Sequence, residues 1–549
     1  MSLSLSIDHT PVDAPDSTQS LYELADTVDI HLPTSCRKQG KCRECLLEVT
    51  QGMELLSEPT PEEAHLKDNF RLSCRTRIVA DSGHVECHSL KRGEIKVLDE
   101  AYNLPVSGRA LELDTPYSRN GATILRNGQE VANIEGPIHG VAVDLGTTTV
   151  AMRLLNLETG HIVATQTFEN PQRFGGSDVM ARIQYDSDQK GRLLQRVLLG
   201  YMSHAIENFS VPADSILDVC IAGNATMRDL FFGLDVSSIG QRPYRSVTEQ
   251  DMLDGKRDST SITIEGRHSK LPIHPAAEVY GLPLIGCHVG ADTAACLLAI
   301  DIANESDTVA LMDIGTNTEL ILGNKDRLLA ASCPAGPAFE GGELSSGMPG
   351  VSGAIERVAI DDNGTVTINV IGSTPAEGIC GSGLIDLLSE LVRTDRMNEM
   401  GRFTNSEDAF VLDAAQQVRL LENDISLLAQ AKGANVAGLR IVFQEYGTTF
   451  DDLDTFYFAG GFARHIRVDA ATRIGLIPDI PTDRIKQVGN ASLEGATIAL
   501  CSHSRRAELE ALIPDITHVE LETNPHFFDH FVFGCQYSPL TSDRPEAEG

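Results

Sequence analysis

The sequence predicts an α/β and α+β protein of two unlike parts: a small N-terminal domain around a cysteine-bearing loop, then a larger, duplicated, two-lobed α/β module. Three observations predict it. Five of the twelve cysteines fall within the first 87 residues. A strand–turn–strand pattern around Asp144 returns around Asp313, 169 positions later. A chain of 549 residues is also too long for one hydrophobic core.

The N-terminal element is the run Cys36-Arg-Lys-Gln-Gly40-Lys-Cys42-Arg-Glu-Cys45, followed by Cys74, a C-x5-C-x2-C-x28-C spacing. A 2Fe–2S cluster takes four thiolates, typically three from one tight loop and one from a distant segment. Gly40 supplies the backbone freedom to aim N–H groups at sulfur. Leu46–Val49 reads as a strand leaving the loop. Zinc is the alternative, but zinc sites usually pair two short knuckles and only one C-x2-C is present. The three-plus-one layout favours iron–sulfur, and Cys87 falls outside it as a structural residue. The spacing resembles the adrenodoxin-like 2Fe–2S ferredoxins, which implies a β-grasp fold. Arg37, Lys38, Lys41 and Arg43 surround Gly40 where such loops often carry glycine. Positive charge there raises a cluster's potential or docks an acidic donor; a solvated charged loop is the plainer reading.

The larger part begins at Gly140. Gly140–Leu145, a turn at Gly146-Thr147-Thr148, and Thr149–Leu154 form a hairpin, and Gly160–Thr165 suggests a third strand. Val309–Ile314, Gly315-Thr316-Asn317 and Thr318–Leu322 repeat it, with Arg327–Ser332 behind. In each copy the glycine admits a phosphate closely, and turn N–H groups and hydroxyls can donate to it. The aspartates Asp144 and Asp313 can hold Mg²⁺ through water. Two copies with matching strands indicate two related lobes.

Five segments in order resemble the superfamily of actin, sugar kinases and heat-shock chaperone ATPases, which implies a duplicated, ribonuclease H-like two-lobed ATPase. They are the phosphate loops Asp144–Thr149 and Asp313–Thr318, a first connecting helix from Val289 with Asp292 at its acidic position, an adenosine segment Phe456–Phe462 with Gly460 and Gly461, and a second connecting helix from Gly489 to Ala496. The resemblance implies ATP and Mg²⁺ as ligands. It places Thr147, Thr148, Thr316 and Asn317 on phosphate, and Asp292 beside the attacking water.

Composition sets outer bounds. Apolar residues make up 42% and charged residues 22%, ordinary for a soluble globular chain. A formal charge of −34 argues against nucleic acid or an anionic membrane surface as a partner. No run of about 18 apolar residues suggests a membrane span, and the N-terminus shows no signal-peptide pattern. The chain is expected in the cytoplasm, with its thiols reduced. Cys220, Cys287, Cys296, Cys333, Cys380, Cys501 and Cys535 share no ligand-like spacing and read as buried small hydrophobes.

The division by sequence is 1–95 for the cluster domain, 96–137 for a linker with some strand (Pro105, Gly108, Pro116, Gly121, Gly128, Pro137), 138–305 for lobe I and 306–549 for lobe II. A ferredoxin joined to such an ATPase resembles the reductive activators of corrinoid proteins. Glu169–Gln172, Gly176–Asp178, Gly223–Met227, Pro334–Gly342 and Ile379–Leu384 extend that resemblance along the chain. It implies ATP-dependent delivery of one electron to Co(II) cobalamin, giving Co(I) for a methyltransferase system. It further implies a corrinoid protein and an upstream electron donor as partners, and a homodimer. Some members of that family carry a separate middle domain before the ATPase, for which 96–137 leaves no room. The competing readings are an activator of another low-potential or radical enzyme, a small-molecule kinase with an attached redox domain, and a nucleotide-gated binding protein.

Overall fold

The computed structural model describes residues 3–13, 15, 17–66, 69–90, 113–286, 288–405, 408–461 and 463–542. Cys287, Phe462 and the linker positions Pro105 and Gly108 lie outside them. Among the described residues no helix is long and apolar enough to cross a membrane.

The N-terminal sheet contains β1 (Leu3–Ile7), β2 (Thr10–Val12), β3 (Leu46–Gln51), β4 (Phe70–Leu72) and β5 (Gly83–Ser89), in the order β2-β1-β5-β3-β4. Only β1 and β5 run parallel. A helix, Leu21–Thr27, lies between β2 and β3 and buries Leu21, Leu24 and Ala25. It starts on a reciprocal cap: the Glu23 N–H donates to Ser20 Oγ, and the Ser20 N–H donates to Glu23 Oε2 at 2.8 Å. This is the β-grasp arrangement expected. The cysteine loop fills the helix-to-β3 connection, and Cys74 follows β4.

The segment read as a linker is more ordered than expected over its described part. β6 (Tyr117–Asn120), β7 (Thr123–Arg126) and β8 (Gln129–Asn133) form an antiparallel sheet. Asn127 and Gly128 both have positive φ, 52° and 79°, the conformation that suits a two-residue hairpin turn. The sheet is fastened to lobe I: Tyr117 donates to the Leu217 carbonyl at 2.7 Å, and Arg126 donates to that of Ala276 at 3.2 Å.

Both lobes repeat one topology. Lobe I holds β9 (His139–Leu145), β10 (Thr149–Asn156), β11 (Ile162–Glu169), β12 (Ile216–Gly223), β13 (Ile262–Glu265) and β14 (Glu278–Gly281). Its order is β11-β10-β9-β12-β14-β13, an antiparallel meander whose β9 pairs in parallel with β12. Lobe II repeats this with β15 (Val309–Ile314), β16 (Thr318–Asn324) and β17 (Arg327–Cys333). It also carries β18 (Ala354–Ile360), β19 (Val366–Val370), β20 (Gly378–Ile379), β21 (Ala409–Asp413) and β22 (Val418–Leu421) in two small sheets, then β23 (Thr455–Ala459), β24 (Ile485–Gly489) and β25 (Ile516–His518). The main order is β24-β23-β15-β16-β17-β25. β9 and β15 are apolar runs covered on both faces, as central strands must be. In each, the aspartate stands at the C-terminal end, where such sheets open onto ligands.

Packing crosses the division at residue 306. The helices Ala491–Cys501 and His503–Leu512 return to lobe I, where Leu493, Ala496, Ile498, Leu500 and Leu509 join its core. Every residue of Ala491–Cys501 is buried, so that helix has no solvent face to keep it at the edge of lobe II. It crosses the first connecting helix, Ala291–Ala299, at Gly495, where a Cβ would collide with the backbone of Ala295. The crossing is tied down by Arg153 on β10, which donates to Glu494 Oε1 at 2.7 Å and Thr497 Oγ1 at 3.1 Å.

Removing one member of a buried ion pair leaves the other charge without compensation. Arg153→Ala is therefore expected to destabilise the protein by about 3–5 kcal/mol, read from the urea midpoint of the full chain. A midpoint unchanged within error would show that Glu494 does not depend on Arg153.

Candidate functional site

The two hairpin turns face each other across one cleft. The Gly146 N–H donates to the Thr149 carbonyl at 2.9 Å, and the Gly315 N–H donates to that of Asn317 at 3.1 Å. A Cβ on Gly146 would lie 2.7 Å from the Thr149 oxygen, so the tight turn excludes larger residues. The cleft is lined by Asp144, Gly146, Thr147, Thr148, Asp292, Asp313, Gly315, Thr316, Asn317, Gly460 and Gly461. All eleven positions expected to meet the nucleotide therefore share one cavity. At the far end Gly460 has φ +124°, and a Cβ there would strike the Ile314 carbonyl. Gly223 repeats that feature in lobe I, where a Cβ would lie 2.7 Å from the Leu145 oxygen.

Carboxylates crowd the floor. Asp144 accepts from Asn490 Nδ2 and Ser492 Oγ, both at 2.8 Å. Burial raises its proton affinity, and those two bonds offset part of the rise. Asp313 is pushed up to about 7, first by burial and then by the Asp144 charge, while the Cys296 thiol, 3.3 Å away, donates to it. Asp292 rises to about 6 through burial and repulsion from Asp144, against the pull of the Thr293 N–H. Glu319 is raised well above its usual range by burial and by Asp292 and Asp313. Such a concentration of negative charge fits a divalent cation, which would relieve the mutual repulsion.

In the small domain the four thiols fall into two pairs. Cys36 and Cys42 shift each other's ionisation, and so do Cys45 and Cys74. The connecting backbone is folded tightly, with positive φ at Arg37, Lys38, Gly40 and Arg43. Burial raises the Cys36 thiol, but Cys42 and the N–H groups of Gln39 and Lys41 outweigh it and bring it down to about 7. Contact with the Cys45 thiol holds Cys74 below its ordinary value, while that contact and burial push Cys45 up. Backbone donors aimed at paired thiols suit a 2Fe–2S cluster, whose anionic sulfur they stabilise. Cys36 is partly exposed and the other three are buried, so one edge of the site meets solvent. Cys87 lies in β5, fully buried, its thiol pushed up to about 12 by burial.

Two arginines fasten this domain to lobe I. Arg196 donates to the Cys42 carbonyl at 2.8 Å and pairs with Glu44 at 3.5 Å. Arg173 pairs with Glu48 on β3 and packs over the Phe70 ring. Arg173 belongs to the turn Pro171–Gly175, which Asn170 opens. The Asn170 N–H donates to the Thr148 carbonyl at 2.7 Å, and its Nδ2 to that of Gly146 at 2.8 Å. One short segment thus touches both the cysteine domain and the phosphate loop.

Sequence reasoning left several cleft residues without a role. Asn490 and Ser492 lay inside the second connecting segment unassigned. Cys296 was read as inert, although it sits one helical turn after Asp292. Of the charged loop residues, Lys38 is held by Asp26 at 2.7 Å and lies over Tyr22. Arg75 is the residue laid against Gly40, donating to the Gln39 carbonyl. Glu340 and Asn224 sat in strings that carried the resemblance without a role for either residue. Asn224 Nδ2 donates to Thr147 Oγ1 at 2.9 Å.

Comparison with known proteins agrees with this arrangement. Residues 7–79 match the 2Fe-2S iron-sulfur cluster binding domain, 139–305 the RACo middle region, and 307–546 the C-terminal domain of RACo, the ASKHA domain. What that family calls its middle is therefore lobe I, which replaces the expectation of a missing domain between 96 and 137. The corrinoid activation enzyme RamQ of Eubacterium limosum is 27% identical, covering 95% of this chain and 97% of its own. The Co(II) methylated amine-specific corrinoid protein reductase of Methanosarcina barkeri is 24% identical, over 74% and 78%. A solved structure of a reductive activator for a corrinoid, iron–sulfur protein aligns with a TM-score of 0.71 and 26% identity over 98% of each chain. Matched by both RACo regions across almost all of 139–546, the chain resembles the reductive activators of corrinoid proteins along nearly its whole length.

Proposed function

We propose that this protein is an ATP-dependent reductive activator that returns a corrinoid protein of a methyltransferase system from Co(II) to Co(I), acting in the cytoplasm as a homodimer supplied by a separate electron donor. The observation that carries the reading is the segment Asn170–Gly175, which joins the phosphate loop to the cysteine domain. A kinase with an incidental redox domain has no need of such a junction.

Cys36, Cys42, Cys45 and Cys74 hold the cluster, and Asp144 and Asp313 face Mg²⁺ from opposite lobes. Thr147, Thr148, Thr316 and Asn317 bind phosphate, Gly460 and Gly461 border the adenosine, and Asp292 orients the attacking water. When bound, the 2Fe–2S cluster supplies electrons one at a time and Mg²⁺ neutralises phosphate charge. The chain's own contribution is positioning. Asn490 and Ser492 hold Asp144 in place, and the glycine turns bring N–H groups to the phosphates. Arg196 and Arg173 keep the cysteine loop against lobe I while the Cys36 edge stays open to a partner.

Coupling to ATP answers an energetic need. Co(I) is a stronger reductant than a 2Fe–2S centre near about −400 mV. A gap of order 200 mV is nearly 5 kcal/mol, at about 59 mV per 1.4 kcal/mol for one electron. Preferential binding of a corrinoid state that is easier to reduce supplies it, and opening after hydrolysis releases the partner.

Serine at any of Cys36, Cys42, Cys45 or Cys74 is expected to lower iron and labile sulfide per chain, while Cys87→Ser retains both. Stoichiometric zinc without iron in anaerobically reconstituted protein would reject the cluster. Asp144→Ala and Asp313→Ala should each slow Mg²⁺-dependent ATP hydrolysis by at least about 10²-fold, roughly 2.7 kcal/mol of barrier; steady-state turnover measures this. Mixed anaerobically with a cognate corrinoid protein, pre-reduced activator should give the Co(I) spectrum with ATP and not with Asp313→Ala. Equal Co(I) yield and rate without ATP would sink the coupling.

A further inference from the structure

Between the two phosphate loops the cleft already holds a carboxyl group of the protein's own, one whose proton affinity burial raises and its hydrogen bonds partly lower. Thr148 in the first phosphate loop and Thr316 in the second have their hydroxyls 3.1 Å apart. Both donate to the same oxygen of Glu340, from Thr148 at 3.0 Å and from Thr316 at shorter range. Glu340 ends the turn Pro337–Glu340 and is followed by Gly341 at φ +85°, whose position is pinned because a Cβ would lie 2.5 Å from the Met348 nitrogen. The side chain thus projects from a built turn. Among the described residues no basic side chain forms an ion pair with it; the buried Arg182 acts on it from farther away and donates to the Gly176 carbonyl and Met227 Sδ.

A carboxylate accepting from two hydroxyls on opposing phosphate loops occupies the position where those loops would grip phosphate oxygen. While both hydroxyls donate to Glu340, neither has a hydrogen left to give to a phosphate oxygen. The adenosine end lies at Gly460 and Gly461 on lobe II, so the meeting point of the loops suits the last phosphate of the chain.

Resting on the ATP reading above, we propose that Glu340 is a specificity-determining residue of the nucleotide site: its carboxylate stands in for the terminal phosphate, so that ATP must displace it and ADP need not. The Thr148–Glu340 bond also ties lobe I to lobe II. ATP breaks that tie as it makes its own, and ADP leaves it intact. The terminal phosphate is sensed by competition with a fixed internal carboxyl group.

The test compares Glu340→Gln and Glu340→Ala with the wild type in the full, cluster-loaded protein. Calorimetry measures binding of Mg²⁺ with a non-hydrolysable ATP analogue and with ADP, and steady-state assays separate kcat from KM. Glu340→Gln keeps the shape of the side chain and is expected to fold. Both variants should bind the ATP analogue about tenfold more tightly, about 1.4 kcal/mol, while ADP stays within about twofold; KM for ATP should fall accordingly. Unchanged or weaker binding of the analogue would overturn the proposal. So would a kcat collapse of about 10²-fold at unchanged affinities, which would make Glu340 a water-positioning base. Wild-type protein that binds neither nucleotide would reject the ATP reading itself, whereas wild-type binding with unaltered variants rejects this inference alone.

Discussion

Like charges held together against their repulsion are the constraint on which the cleft depends. Two copies of one hairpin bring Asp144 and Asp313 to a single point, and Asp292 and Glu319 add to the crowd. Left alone, such a floor would open or take up protons. The fold answers with donors of exact placement in sequence: Asn490 and Ser492 for Asp144, Cys296 for Asp313, and the Thr293 N–H for Asp292. Three of these four donors stand on the connecting helices. The close crossing at Gly495 therefore serves the electrostatics as well as the packing, because it brings the start of one helix under the end of β9.

The same economy links the cleft to the cysteine domain. Asn170 satisfies the carbonyls of Thr148 and Gly146, and three residues later Arg173 reaches Glu48. A shift of the phosphate loop cannot be absorbed within a flexible tether, since none separates these bonds. Arg196 adds a second hold, directly on the carbonyl of a cysteine of the loop. The phosphate loop of lobe I is thereby joined through a few direct contacts to the surroundings of the Cys36–Cys45 loop.

Much of this was legible in the residues alone, and for a common reason. Cysteine spacing, glycine turns and aspartates at strand ends are local patterns, each needing only a few neighbours in sequence to acquire its meaning. Asp144–Thr149 and Asp313–Thr318 were recognisable because a hairpin is a contiguous structure, and the β-grasp strand Leu46–Gln51 because it directly leaves the cysteine loop. Asn127-Gly128 carried a hairpin signal as well, and reading 96–137 as a linker passed over it.

Contacts between distant segments were another matter. That residues 491–512 return to lobe I follows from an all-round buried helix whose Gly495 meets the backbone of Ala295, and no periodicity announces a partner about two hundred positions away. Glu340 had no role within the segment Pro334–Gly342 because its significance lies in Thr148, on the other lobe. Cys296 looked inert because its acceptor, Asp313, stands on another strand. Arg173 and Arg196 carry no signal of their own in the sequence, because their partners Glu48, Glu44 and the Cys42 carbonyl lie in the cysteine domain. The sequence by itself determined the chemistry of the two sites, since that resides in residue types at short spacing. Only the tertiary structure decided which carboxylates share a cleft, which residue stands between the phosphate loops and how the two sites touch, because those depend on chain segments whose separation in sequence carries no record of their proximity in space.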